Sequence, residues 1–352
     1  MNRKLAYLAS VFAVTFTASG AFAAVMDQKV ERSAADKVVV TWTNKAPVDV
    51  YVADSADAGV AKAKLVSDDN KKGRFEFVVD PTARPYFLLK DTKDGVTTEI
   101  AERALPLEQG SNFRDLGGYP AAGGKHVRWG MVFRSGGTPM LTDADLARIK
   151  LLKLTDMVDL RSAEERTVAP SKIEDVRYTA VGYSMQRMMN QGPIDTTRLG
   201  GVYRNFPTLL APQMRVLFKT LLEEGTTVAY NCSAGQDRTG FATALLLTTL
   251  GVPRDVIFAD YHLSTTYRRP QFETPKLDAA AMPTPALKYI AGFQQGPAAA
   301  KPQPLFDAEH KPFLANAFAE IEEKWGSVEA YLDKEVGVDA ADIAKLRAKY
   351  LE

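Results

Sequence analysis

The sequence predicts an α/β domain, with a central mixed sheet flanked by helices, preceded by a small all-β sandwich. Three observations carry this reading. Short runs with period-two alternation fill residues 24–106. From Thr142 onward, strand-like and helix-like segments alternate, which argues for a sheet with parallel pairing. An apolar strand signal over Thr227 to Tyr230 runs through a short loop into a long apolar helix that begins near Thr239. The length of 352 residues suits two domains plus extras, at roughly 100 to 200 residues per domain.

Residues 1–23 read as a signal peptide. Arg3 and Lys4 form a basic start, Leu5 to Phe16 an apolar core, and Ala21-Phe22-Ala23 a small-x-small cleavage site. The expectation is an exported protein, periplasmic or secreted. The apolar core is shorter than the roughly 20 residues of a spanning helix, and no later run approaches that length, so no transmembrane anchor is expected in the mature chain. A net charge of +1 with 25% charged residues leaves no nucleic-acid footprint and no strongly acidic partner. The single cysteine, Cys232, cannot close an intramolecular disulfide; in an oxidising compartment such a thiol needs a chemical reason.

In the first domain, strands are expected over Lys37 to Trp42, Asp49 to Val52, Arg74 to Val79, Tyr86 to Lys90 and Thr97 to Ile100. Turn signals at Asn44 to Pro47, Asp68 to Gly73 and Asp94-Gly95 separate them. The acidic clusters at Asp54, Asp57 and at Asp68, Asp69 lack the alternating oxygen ligands of a calcium loop and read as solvated turns. This spacing resembles a fibronectin type III domain, with Trp42 in the place of its buried early-strand tryptophan.

The second domain, 107–352, opens at Asn112 to Tyr119. Its paired glycines allow a tight backbone path, and Arg114 and Asp115 either pair with each other or brace the loop around Cys232 from below. Thr142 and Asp145 form a capping-box variant ahead of Leu146, Ile149 and Leu152. Asp156 to Leu160 reads as a buried strand, and residues 182–206 as irregular. Phe241 to Leu250 is an apolar, buried helix ended by Gly251. His262, one of three histidines, reads as a packed or surface residue rather than a catalyst. Residues 269–312, rich in Pro, Ala and Gln, read as an insertion, either a lid or a surface linker. Leu314, Phe318, Ile321 and Trp325 make one helix face; Asp339 caps a last helix that buries Ile343, Leu346 and Tyr350.

The chemistry concentrates between Cys232 and Thr239. Backbone N–H groups from Ser233, Ala234, Gly235 and Gln236 to Arg238 can converge on one anion, reinforced by the following helix dipole. Arg238 supplies a planar fork for two phosphate oxygens. Cys232 lies at the mouth of that field, which favours its thiolate. These parts predict a two-step phosphoryl transfer in which the thiolate attacks phosphorus and water hydrolyses the phosphocysteine. Neither metal nor cofactor is called for. Asp237 is the nearest acid for the leaving oxygen, and Thr239 is expected to set its hydroxyl on the Cys232 sulfur.

Cys232-x5-Arg238-Thr239-Gly240 resembles the protein tyrosine phosphatase signature. Asn112-Phe-Arg-Asp-Leu-Gly-Gly-Tyr119, Phe133-Arg-Ser-Gly136 and Val158-Asp-Leu-Arg161 are similar to further motifs of its bacterial secreted tyrosine and lipid phosphatase branch. The resemblance implies a cysteine-phosphatase fold and a phosphorylated protein or small phosphomonoester as substrate. In that fold the segment before the phosphate loop often delivers the acid, which makes Asp195 the runner-up to Asp237, with Asp159 third. Two positions depart from the branch: Asn231 stands where it has His, and Gln236 where it has Lys. The first removes an aid to thiolate formation. The second removes a charge that helps hold a polyphosphorylated inositol, which weighs against a phosphoinositide or inositol-phosphate phosphatase but not against monophosphate ester chemistry. A catalytically impaired phospho-binding module and a sulfur-transfer enzyme are the rivals from other classes; intact Cys232, Arg238 and Thr239 argue against both.

Overall fold

The structure, a computed structural model, describes residues 25–56, 58–190, 199–293 and 301–352. The signal-peptide segment, Asp57 and Asp195 lie outside these residues.

Strands β1 (Met26–Ala34), β2 (Lys37–Thr43), β3 (Val48–Ala53), β4 (Lys64–Asn70), β5 (Arg74–Val78), β6 (Tyr86–Asp91) and β7 (Thr97–Ala101) build two antiparallel sheets, in the orders β1-β2-β5 and β4-β3-β6-β7. Alternate residues point inward, so Val38, Val40 and Trp42 of one sheet meet Val48, Val50, Phe87, Leu89 and Ile100 of the other. The two strands without a sequence signal are β1 and β4, both at sheet edges. Edge strands bury little, and β1 gains its register from pairing with β2 rather than from its own pattern. Asp68 and Asp69, expected in a turn, lie inside β4.

The second sheet system is the α/β unit: β8 (Arg114–Asp115), β9 (Val132–Ser135), β10 (Asp156–Asp159), β11 (Arg177–Ala180) and β12 (Val228–Asn231), ordered β11-β10-β12-β9-β8. All pairs are parallel except β8 with β9, so the sheet is mixed. Side chains alternate between two apolar layers. Val132, Val158, Val228 and Tyr230 face one, while Phe133, Met157 and Ala229 face the other.

The helices are α1 (Asp143–Lys150), α2 (Ala163–Val168), α3 (Met185–Asn190), α4 (Leu199–Leu209), α5 (Ala211–Leu222), α6 (Asp237–Thr249), α7 (Arg254–His262), α8 (Pro285–Phe293), α9 (Leu314–Trp325) and α10 (Ala340–Tyr350), besides shorter turns. Thr142 and Asp145 cap α1 reciprocally, and Ser162 with Glu165 does the same for α2. Asp339 caps α10, which buries Ile343, Leu346 and Tyr350. Helix α6 starts two residues before Thr239, at Asp237, and is buried along most of its length behind the sheet. No helix among the described residues is long and apolar enough to cross a membrane.

The sandwich is fastened to the edge strand β8. Arg84 donates to Asp115 at 2.8 Å and to the Glu102 carbonyl, and Trp129 Nε1 donates to the Glu99 carbonyl at 3.0 Å. Asp115 therefore does not pair with Arg114. Its remaining capacity is filled by the backbone N–H groups of Gly117 and Gly130.

Candidate active site

Strand β12 ends at Asn231, and the chain turns through Cys232 to Gln236 before entering α6. The backbone of this loop is turned inside out. Its carbonyls all point into the scaffold: Ser233 O accepts from Gly137 N at 2.7 Å and Ala234 O from Asn112 Nδ2 at 3.1 Å. Gly235 O accepts from Asn112 Nδ2 at 2.8 Å and Arg134 Nη2 at 2.7 Å, and Gln236 O from Gly240 N at 2.9 Å. The N–H groups from Ser233 to Arg238 find no acceptor among the described residues, and Gln236 gives α6 no side-chain cap. A row of free donors at a helix start is what an oxyanion needs. Gly235 permits the path: its φ is +63°, and a Cβ there would sit 2.5 Å from Gly136 N and the Ser135 carbonyl.

The brace under the loop is charged and buried. Asp260 of α7 accepts from both Arg114 and Arg134 and, at 2.8 Å, from the Tyr119 hydroxyl. Arg114 also donates to Asn112 Oδ1, fixing the amide that holds Ala234 and Gly235. Burial alone would raise the Asp260 carboxyl; the two guanidiniums outweigh it and bring it down to about 2.

Above the loop lies a cavity of about 240 Å³ whose wall includes Cys232, Asp237, Arg238 and Arg268. Arg238 is clamped by Glu165 through two bonds, at 2.7 and 2.6 Å, and reaches the Tyr183 hydroxyl at 2.8 Å. Its Nε makes no hydrogen bond among the described residues. Ser233 donates to the same carboxylate at 2.6 Å. Burial pushes the Glu165 carboxyl up, but Arg238 and the hydrogen bonds hold it at about 2. On the opposite side Arg268 forms a matching pair with Glu273, at 2.9 and 2.8 Å, and donates to Gln236 Oε1 at 3.0 Å. Gln236 Nε2 in turn donates to Asp237 Oδ1 at 3.2 Å, where the Tyr203 hydroxyl also donates.

Residues 105–352 match the family described as the Tyrosine phosphatase family. This chain belongs to that family. It is 35% identical over 259 residues to a candidate tyrosine-protein phosphatase of Cupriavidus necator, covering 70% of this chain and 88% of that one. It is 29% identical over 293 residues to the triple specificity protein phosphatase PtpB of Mycobacterium tuberculosis, covering 72% of this chain and all of that one. Among solved structures, a cysteine-to-serine variant of P. aeruginosa TpbA in complex with pTyr overlaps at TM-score 0.23 and 13% identity, over 48% of this chain and 90% of that one. The chain is thus a hydrolase of phosphomonoesters.

Within this tyrosine phosphatase, Cys232, Ser233, Ala234, Asp237 and Arg238 come together at the cavity, with Gly235 and Gln236 completing the loop. Two expected residues behave otherwise. Thr239 Oγ1 is buried with no hydrogen-bond partner among the described residues, so the expected bond to the Cys232 sulfur is not made. Asp159 is buried against Arg161, at 2.6 to 3.0 Å, and accepts from the Tyr178 hydroxyl at 2.6 Å; it does not reach the cavity. His262 packs its ring on Phe306 with centroids 4.1 Å apart. From the 269–312 segment, Pro270, Glu273, Tyr289 and Ile290 contribute to the cavity wall. Sequence reading missed Glu165, Tyr203, Arg268 and Glu273. Only Glu165 carried a signal, as the fourth residue of the Ser162-x-x-Glu165 capping box, and that signal speaks of a helix start rather than of Arg238.

Proposed function

We propose that this chain is an exported phosphatase that hydrolyses phosphotyrosine through a phosphocysteine on Cys232. Cys232 attacks phosphorus in line, Arg238 and the loop N–H groups hold the equatorial oxygens, and Asp237 protonates the leaving phenoxide. Water then cleaves the phosphocysteine, with Asp237 taking its proton and the thiolate leaving. The observation that carries the reading is the open nest of loop N–H groups with Cys232 and Arg238 on one cavity wall. The names of the relatives, tyrosine-protein phosphatase and triple specificity protein phosphatase, support the same substrate class. Export rests on residues 1–23 alone, and an insertion that closes over the site is supported by Tyr289 and Ile290 in its wall.

A second reading, a phosphoinositide phosphatase, gains one observation. Arg268 brings a guanidinium to the cavity beside Gln236, where the resembling branch keeps lysine. The pairing of Arg268 with Glu273 offsets that charge, so phosphotyrosine remains the preferred substrate.

The test is turnover of a phosphotyrosine peptide and of a phosphoinositide by protein recovered from a bacterial periplasm, without metal and with reductant. The expected outcome is a mature N-terminus at Ala24, faster peptide turnover, and loss of at least about 10⁴-fold in Cys232→Ser. Binding of phosphate without turnover in the unaltered chain would instead favour the binding module.

A further inference from the structure

Within the described part of the segment ahead of the phosphate loop, a tyrosine reaches the candidate acid. Tyr203 lies on α4, is 1% exposed, and donates its hydroxyl proton to Asp237 Oδ1. Its oxygen lies 2.5 Å from the hydroxyl of Tyr261 on α7. Each hydroxyl has one proton, so a Tyr203 that donates to Asp237 must accept from Tyr261. The chain therefore runs in one direction, from Tyr261 to Tyr203 to Asp237.

We infer that Tyr203 is the positioning residue for the acid Asp237, with Tyr261 holding Tyr203 in turn. The inference rests on Asp237 being the acid, as read above. Two donors, the Tyr203 hydroxyl and Gln236 Nε2, aim at Oδ1, so the carboxyl proton is confined to Oδ2. Oδ2 has no partner among the described residues, and Asp237 forms part of the cavity wall. As the Cys232 sulfur–phosphorus bond forms and the bond from phosphorus to the leaving oxygen breaks, the Oδ2 proton passes to that oxygen. The charge left on the carboxylate meets two donors already in place, with no reorganisation. In the second step the same carboxylate takes a proton from the attacking water as the sulfur–phosphorus bond breaks.

The surroundings keep this chain donating. Burial, with the Asp237 charge adding to it, drives the Tyr203 hydroxyl well above its ordinary value, and burial does the same for Tyr261. Both stay protonated at any working pH. The Tyr203 ring is fixed by Phe206, with centroids 4.8 Å apart, and by Phe313, stacked at 6.2 Å. Gln236 completes the clamp with an amide where a lysine would bring a charge but no such orientation of its partner, which gives the departure at this position a use.

The experiment compares kcat/KM for phenyl phosphate, whose poor leaving group needs the acid, with that for 2,4-dinitrophenyl phosphate, which does not. The ratio of the two, taken on one preparation, is unaffected by the fraction of folded enzyme. Tyr203→Phe keeps the ring and should lower the ratio about tenfold, and Tyr261→Phe about threefold. Added to Asp237→Asn, Tyr203→Phe should change the ratio by less than about twofold, because its route runs through the carboxyl. A wild-type ratio in Tyr203→Phe, beside a depressed one in Asp237→Asn, overturns the inference and leaves the acid assignment standing. Equal losses in both backgrounds mean a packing role and overturn it too. A wild-type ratio in Asp237→Asn removes the acid assignment and the inference with it.

Discussion

Single residues set the charge balance at the cavity. Glu165 is the clearest case, since its carboxyl falls to about 2 from a usual 4.5 under the hold of Arg238. A carboxyl lowered on folding stabilises the native state above its unfolded value and loses that contribution as pH falls toward the folded one, about 3 kcal/mol here. Wild type should therefore lose urea stability between about pH 5 and pH 3 more steeply than Glu165→Gln. Parallel slopes would show that the pair contributes nothing on acidification. At this scale the sequence was legible where chemistry is local: Cys232 to Arg238 lies within one loop. It was illegible where partners are distant, because Glu165 and Arg238 are 73 positions apart and no periodicity links them.

Elements carry the loop. Helix α7 contributes one carboxylate, Asp260, to two guanidiniums that are wholly buried, and strand β9 brings Arg134 directly to the Gly235 carbonyl. Asp260→Asn would keep the shape but leave Arg114 and Arg134 facing each other uncompensated. The expected cost is about 3 to 5 kcal/mol in chemical denaturation, with turnover falling as the loop loses its brace. An unchanged denaturation midpoint would place the compensation elsewhere. Helices α1, α9 and α10 were readable because their caps and apolar stripes are written in neighbouring residues, whereas the capping box of the short α2 has no apolar stripe behind it to mark a helix. Strands β1 and β4 were not, since an edge strand takes its register from its neighbour and shows water a mixed face. The two apolar layers around the central sheet explain why Val228 to Tyr230 reads as a short continuous apolar run rather than an alternating one.

Across the whole molecule, the sandwich and the α/β unit share a buried ion pair, Arg84 with Asp115, and strand β8 carries that contact on one residue and the loop brace on the next. Arg84→Ala leaves Asp115 buried with only its backbone donors, at an expected cost of about 3 kcal/mol. Calorimetry should show a single transition in wild type and a lower-melting, broader or split one in the variant. An identical trace would mean that the two units unfold independently of this contact. The loop itself has a consequence in time. Its carbonyls are tied to Asn112 and Arg134, which precede Gly235 by 123 and 101 residues. Such ties close late, because long chain segments must first be brought together. A nascent or refolding chain thus possesses its thiol before the phosphate site around it is assembled, and it gains hydrolytic competence only when those distant ties have closed.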